Sequence, residues 1–176
     1  MTIMPKQVPH ASEQRVGTPR LFLDAVEARV GPLTIDLCAS RENACAPAYL
    51  TEATDSLKAD WSGIRGAAWC NPPYRHIEPW VRKAASTTLR PGAKIAMLTP
   101  ASVGSNWFRD HVYGHARVYF LCGRIRFVGH TQAYPKDLML SVYGELPSLE
   151  IWTWSARRLR KAGQASSSTV QEIACR

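Results

Sequence analysis

The chain has 176 residues, 45% of them apolar, and a formal net charge of +8. That length suits one domain around one core, and no apolar run is long enough for a transmembrane helix. The basic excess points to an anionic partner such as nucleic acid, although five basic residues and one acidic residue from Ser155 onward supply half of it.

Residues 1–17 lack the apolar stretch of a secretory signal and read as a flexible arm. Thr18-Pro19 reads as a helix start, with Thr18 as N-cap and Pro19 at the first helical position. Leu21, Phe22, Ala25, Val26 and Val30 follow helical spacing, and Gly31 ends the helix. LTIDLCAS, from Leu33, reads as a buried strand entering a loop, and a short strand is expected near Tyr49 and Leu50. GAAWC is the next strand and leads into Asn71-Pro72-Pro73-Tyr74. Ile77, Trp80, Val81, Ala84 and Thr88 then mark an amphipathic helix, with Pro79 tolerated in its first turn and Pro91-Gly92 breaking it. KIAMLTPA reads as a strand, SNWFRDHVYG as a helix capped by Ser105 and stopped near Gly114, and ARVYFLCG as a strand. RIRFVGHTQAYPKD is a polar and aromatic loop, LMLSVYG a strand and EIWTW a further one. The polar, Ser-rich stretch from Ser155 reads as a tail with room for a short helix over 156–162.

This order predicts an arm (1–17), one domain (18–154) and a basic tail (155–176). Strands alternating with helices predict an α/β fold, a mostly parallel central sheet with helices on both faces. Ligands of such sheets sit at the carboxyl ends of the strands. The five cysteines include no C-x-x-C pair, so no metal site is expected. Their odd number fits a reducing cytoplasm, and Cys38, Cys70 and Cys122, in or beside apolar runs, read as small buried hydrophobes.

The Asn71-Pro72-Pro73-Tyr74 stretch carries the chemistry. Two prolines remove two donors and stiffen the loop, and each pushes its predecessor to extended backbone. An exocyclic amine on an aromatic ring is a poor nucleophile because its lone pair is delocalised. Acceptors against both of its N–H groups favour a pyramidal nitrogen and return the lone pair. The Asn71 side-chain oxygen and the Pro72 carbonyl are two such acceptors, and the Tyr74 ring can stack on the heterocycle.

Strand-then-Asn-Pro-Pro-Tyr resembles the catalytic motif of S-adenosylmethionine-dependent amino-methyltransferases. TPRLF, IDLCAS, DSLKADW, WCNPPY, IEPWVRKA, MLTPAS, WF and GRIRF occur in that order, a series similar to the phage-type DNA N6-adenine methyltransferase family from Thr18 to Tyr143. The resemblance implies a Rossmann-like methyltransferase sheet, S-adenosylmethionine as donor, the amine of a flipped adenine in DNA as acceptor, and action in a bacterial or phage-infected host cytoplasm. Asn71, Pro72, Pro73 and Tyr74 match the catalytic motif. Thr18 and Pro19 match the segment near the methionine carboxylate of the cofactor, where a helix N-terminus suits an anion. Asp36, Cys38 and Ala39 match the first-strand cofactor motif, although the glycine-rich loop usual in many methyltransferases is replaced by Cys38-Ala39-Ser40.

Asp55 stands at a spacing that fits the cofactor ribose, the cofactor adenine amine or a plain helix N-cap. Phosphate contacts are expected from Arg75 and His76 beside the motif and from Arg124, Arg126, His130 and Lys136 in the late loop. Arg124 to Phe127 alternates basic and apolar residues, as a strand edge with one face on DNA would. The motif alone also allows the same chemistry on RNA or a protein amide. A non-catalytic nucleic-acid binder of the same fold is the other alternative.

Overall fold

The computed structural model describes residues 16–154, so most of the predicted arm, the tail and Cys175 lie outside the described residues. Seven strands are described: β1 (Leu33–Asp36), β2 (Ala48–Tyr49), β3 (Ala67–Cys70), β4 (Lys94–Pro100), β5 (Arg117–Cys122), β6 (Leu138–Tyr143) and β7 (Ser148–Thr153). The α-helices are α1 (Arg20–Val30), α2 (Glu78–Ser86) and α3 (Asn106–His111). The strands form one sheet in the order β2-β1-β3-β4-β6-β5-β7. Only β6 runs against the others. This is the mostly parallel sheet that the alternation of elements predicts, and the Rossmann-like sheet that the resemblance implies.

Alternate residues of the central strands feed two cores. Ala96 and Leu98 of β4, with Leu138, Leu140 and Val142 of β6, pack on α1 through Phe22, Leu23 and Val26. Ile95 and Met97, with Met139 and Tyr143, pack on Trp80, Val81 and Ala84 of α2 and Phe108 of α3. Helices therefore cover both faces, and β3 is buried along its whole length. Phe22 anchors the first core, its ring edge-on to Trp154 at 4.6 Å and tilted on Trp152 at 5.8 Å. Truncating a fully buried ring of this kind costs about 3–5 kcal/mol.

Four boundaries or burials differ from expectation. The N-cap of α1 is Pro19, not Thr18: its ψ of 134° keeps it extended while its carbonyl accepts the N–H groups of Phe22 and Leu23. Helix α2 ends at Ser86, ahead of Pro91-Gly92, where the Thr87 backbone turns extended. Helix α3 ends at His111, and turns carry the chain on to Gly114, which has φ +75°. Cys122 is exposed rather than buried: it is the last residue of β5, still paired with Thr153 of β7 but past the pairing with β6, which ends at Phe120. The next residue, Gly123, must be glycine: φ is +116° and a Cβ would stand 2.3 Å from the Trp154 carbonyl oxygen.

Candidate active site

Parallel strands β1, β3 and β4 are neighbours, with Asp36 opposite Trp69 and Cys70 opposite Met97. Their carboxyl ends open side by side, about 4.8 Å apart per strand. The chain leaves β3 at Asn71, which is half-buried; Pro72 is buried, and Pro73 and Tyr74 are half-buried. The His76 N–H donates to the Pro73 carbonyl (3.2 Å) and closes the turn. Among the described residues nothing hydrogen-bonds the Asn71 side chain or the Pro72 carbonyl. Two acceptors thus stand without a partner where the loop leaves the sheet.

The Tyr74 ring packs into both cores and lies edge-on to Tyr134 at 5.5 Å, and Tyr134 in turn lies edge-on to Phe127 at 5.8 Å. The Tyr74 hydroxyl is buried with no hydrogen-bond partner. Burial pushes its pKa well above the ordinary tyrosine value, with Tyr134 and Cys70 adding to the rise.

Asp36 ends β1 and is 3% exposed. Its carboxylate accepts the Cys38 N–H (3.1 Å), the Cys45 N–H (3.3 Å) and the Cys45 thiol (3.1 Å). Burial raises its pKa, and the bonds from Cys45 and Cys38 oppose the rise. Asp36 therefore turns inward and ties down the loop from Leu37 to Cys45. The same burial, with the Asp36 charge, pushes the Cys38 thiol up to about 12. Ala39 donates its N–H to the Leu50 carbonyl (3.0 Å), joining this loop to the exit of β2. Thr18 and Pro19 follow Gly17, whose carbonyl accepts the Val128 N–H (2.9 Å). A Cβ on Gly17 would lie 3.9 Å from that of Asn43, so the start of α1 stands beside the loop after β1. Asp55 sits apart from this cluster of contacts, at the end of a single 3-10 turn (Glu52–Thr54), with left-handed backbone (φ 44°) and an ion pair to Lys58 at 2.8 Å. Its bond to Lys58 lowers its pKa.

Arg75 and His76 are exposed beside the loop. In the loop between β5 and β6, burial alternates as expected: Ile125 and Phe127 point inward, Arg124 and Arg126 outward. The segment is nevertheless not a strand. The Arg124 guanidinium bonds the Pro135 carbonyl and pairs with Asp137 at 3.7 Å, so it braces its own loop. Arg75, Arg126 and Lys136 have no ion pair among the described residues. Cys45 and Tyr134 are contributors that the sequence reading missed. Nothing marks Cys45, because its bond to Asp36 spans an irregular loop. Tyr134 could have been suspected only as the one other aromatic near Phe127 in that loop.

Among the described residues no group of His, Cys, Asp and Glu could hold a metal ion. No helix there is long and apolar enough to cross a membrane.

The family described as DNA N-6-adenine-methyltransferase (Dam) matches residues 6–140. A relative of that name from Escherichia phage T1 is 30% identical over 113 residues, 64% of this chain and 47% of its own length. Another of the same name, from Haemophilus phage HP1, is 31% identical over 105 residues, 58% of this chain and 59% of its own. The chain thus spans about half the length of the relatives it matches. A solved structure, the predicted O-methyltransferase Atu636 from Agrobacterium tumefaciens, aligns with 49% of this chain and 40% of its own at 16% identity and a TM-score of 0.31, too partial to bear on the site. The family match runs from the segment before α1 through the Asn-Pro-Pro-Tyr loop and the β5–β6 loop, and this chain belongs to the DNA N-6-adenine-methyltransferase (Dam) family.

Proposed function

We propose that this chain transfers a methyl group from S-adenosylmethionine to the N6 amine of adenine in DNA. The observation that carries the reading is the pair of acceptors without partners, the Asn71 side chain and the Pro72 carbonyl, at the exit of β3 beside the exit of β1. The motif loop, the family match and the phage relatives named as DNA N-6-adenine-methyltransferases support it.

The residues present fit the cofactor. The loop after β1 offers Cys38, Ala39 and Ser40, all small, held by the inward bonds of Asp36. Thr18 and Pro19 stand at the start of α1 beside that loop, where a helix N-terminus attracts a carboxylate. Asp36 would act on the cofactor through the loop, and Cys38 and Ala39 by close approach. Asp55, half-exposed and paired with Lys58, would reach a ribose hydroxyl or the adenine amine only on giving up that pair. When bound, S-adenosylmethionine supplies a methyl carbon on a positively charged sulfur, which leaves with the bonding electron pair.

The chain's own residues do the rest. Asn71 Oδ1 and the Pro72 carbonyl accept the two amine hydrogens and localise the nitrogen lone pair toward the methyl carbon. After attack, one amine proton leaves through these oxygens to water, so no ionised base is required. The Tyr74 ring fixes the plane of the base, and the stiff proline loop sets the orientation that supplies much of the rate. The adenine must be flipped out or single-stranded to reach this site. Arg75, His76, Arg126 and Lys136 would hold the flanking phosphates.

The test is methyl transfer from labelled S-adenosylmethionine to unmethylated DNA, RNA and protein, with the products resolved by mass spectrometry. N6-methyladenine in DNA is expected, and Asn71→Ala should abolish transfer while the cofactor still binds. Label in RNA or a protein amide would move the substrate. No transfer and no cofactor binding would reduce the chain to a nucleic-acid binder.

A further inference from the structure

A cavity of about 420 Å³ opens between the motif loop and α3, lined by residues 74–79 and by Trp107. It is large enough for a small ligand group. Its chemistry is mixed. Ile77 and Pro79 give apolar surface, and Arg75 and His76 are exposed cationic or donor groups. Glu78 is turned to Arg82, at 3.6 Å, which offsets its charge. Trp107 is half-exposed; its ring packs partly against the second core and lies edge-on to Phe108 at 6.4 Å, so it is held in place while part of it lines the cavity.

The lining decides what the cavity can hold. It begins at Tyr74, the ring proposed to stack on the target base, and includes neither Asn71 nor Pro72, so it lies beside the two acceptors rather than over them. It includes none of Thr18, Asp36, Cys38 or Ala39, so it is separate from the residues proposed to hold the cofactor. An occupant sits immediately beyond the target position, with an aromatic face on one side and a basic rim at the mouth. A base with its phosphate has this composition: a planar ring to stack, a negative charge to meet Arg75. Stacking on an aromatic side chain accepts any base.

Resting on the proposed reaction, we propose that this cavity is a subsite for the nucleotide next to the target adenine in the same strand, with Trp107 as its stacking platform. Trp107 is then a residue that positions the substrate without touching the reacting atoms.

The experiment uses the full chain and a labelled oligonucleotide whose methylated adenine has been mapped. The base on the 5′ or the 3′ side of that adenine is replaced by an abasic residue, and binding is followed by fluorescence anisotropy. In the wild type one of the two replacements should weaken binding by roughly 5- to 150-fold, the worth of one stacked base. Trp107→Ala should weaken binding to the intact oligonucleotide by a similar factor and be indifferent to the same replacement. Trp107→Phe should restore most of both. Trp107→Leu, which keeps an apolar side chain against Phe108, serves the same comparison should the Ala variant melt early. A structural role would lower stability without this coupling. Penalties that simply multiply, or a wild type indifferent to both replacements, would overturn the subsite. A wild type that places no methyl group on DNA adenine would overturn the reaction and the subsite together, so the two failures are distinguishable.

Discussion

Tyr74→Phe separates what the ring does from what the hydroxyl does. The Tyr74 oxygen is buried and unpaired, while the ring is held edge-on by Tyr134. A buried hydroxyl left unpaired costs about 1–3 kcal/mol. Phenylalanine removes that cost and keeps every ring contact, but leaves a small void where the oxygen was. A net gain of about 1 kcal/mol remains, which for a chain of this size raises Tm by roughly 2–4 °C. Differential scanning calorimetry measures the shift and also checks that unfolding is two-state. Methyl transfer in a single turnover should be unchanged, since stacking needs only the ring. The phenol should also add no limb to the rate between pH 6 and 9, because its pKa lies well above the ordinary value. An unchanged or lowered Tm would refute the claim that the hydroxyl lacks a partner. A raised Tm with a tenfold or greater loss of transfer would show that the hydroxyl is used in the substrate complex, and stacking alone would no longer describe Tyr74.

Asp36→Asn puts an amide NH2 among the Cys38 N–H, the Cys45 N–H and the Cys45 thiol, so one donor loses its acceptor; cofactor affinity should fall in calorimetric titration. Because burial raises the Asp36 pKa, the folded chain holds its proton more tightly than the unfolded one. Wild-type stability relative to Asp36→Asn should therefore rise as pH is lowered through that pKa toward the ordinary carboxylate value of 3.8, and a fall in melting experiments would contradict the inward placement. Arg126→Ala should lower the salt dependence of DNA binding by about one phosphate contact, whereas Arg124→Ala should leave the slope nearly unchanged, since Arg124 already bonds Pro135 and Asp137; equal slopes for the two variants would refute the distinction. In iodoacetamide labelling at pH 8 read by peptide mass spectrometry, the exposed Cys122 should react well before the buried Cys70 and before Cys38, whose thiol is pushed up to about 12. Early modification of Cys38 would mean that the loop after β1 opens in solution.

What the sequence revealed tracks how locally each feature is determined. The sheet was legible because β3 and β4 are near-continuous apolar runs and α2 keeps its helical spacing through Val81 and Ala84. The motif loop was legible because two consecutive prolines permit little else. Helix ends were less so: whether Thr18 or Pro19 caps α1 depends on the ψ of Pro19, which the proline ring, fixing only φ, leaves open. Inward and outward directions in the β5–β6 loop followed the alternation of Arg124 to Phe127 even without a strand. The direction of Asp36 did not follow from its neighbours. A carboxylate at a strand end reads equally well as a ligand contact or as a loop anchor. Only the approach of Cys45, across an irregular loop, decides for the anchor. The contact of Tyr134 with Tyr74 joins residues sixty positions apart and has no local signature.

The distribution of charge links the fold to the proposed substrate more closely than the net value does. At the amino ends of β4 and β5, Lys94 and Arg117 are met by Glu145 and Glu150 at 2.7 Å. Those two cations are compensated within the protein, whereas Arg65 and Arg90, just before β3 and β4, are exposed and without ion pairs among the described residues. At the carboxyl ends, around the motif loop, Arg75, Arg126 and Lys136 stand exposed and without ion pairs among the described residues. Paired charges contribute little to an external field, while unpaired ones set it within a Debye length of about 8–10 Å. The uncompensated cations near the acceptors of Asn71 and Pro72 are thus Arg75, Arg126 and Lys136. A phosphate backbone held by these three side chains would lie against the loop proposed to hold the amine, so on the proposed reaction the strand ends that gather the acceptors also carry the cations suited to the substrate.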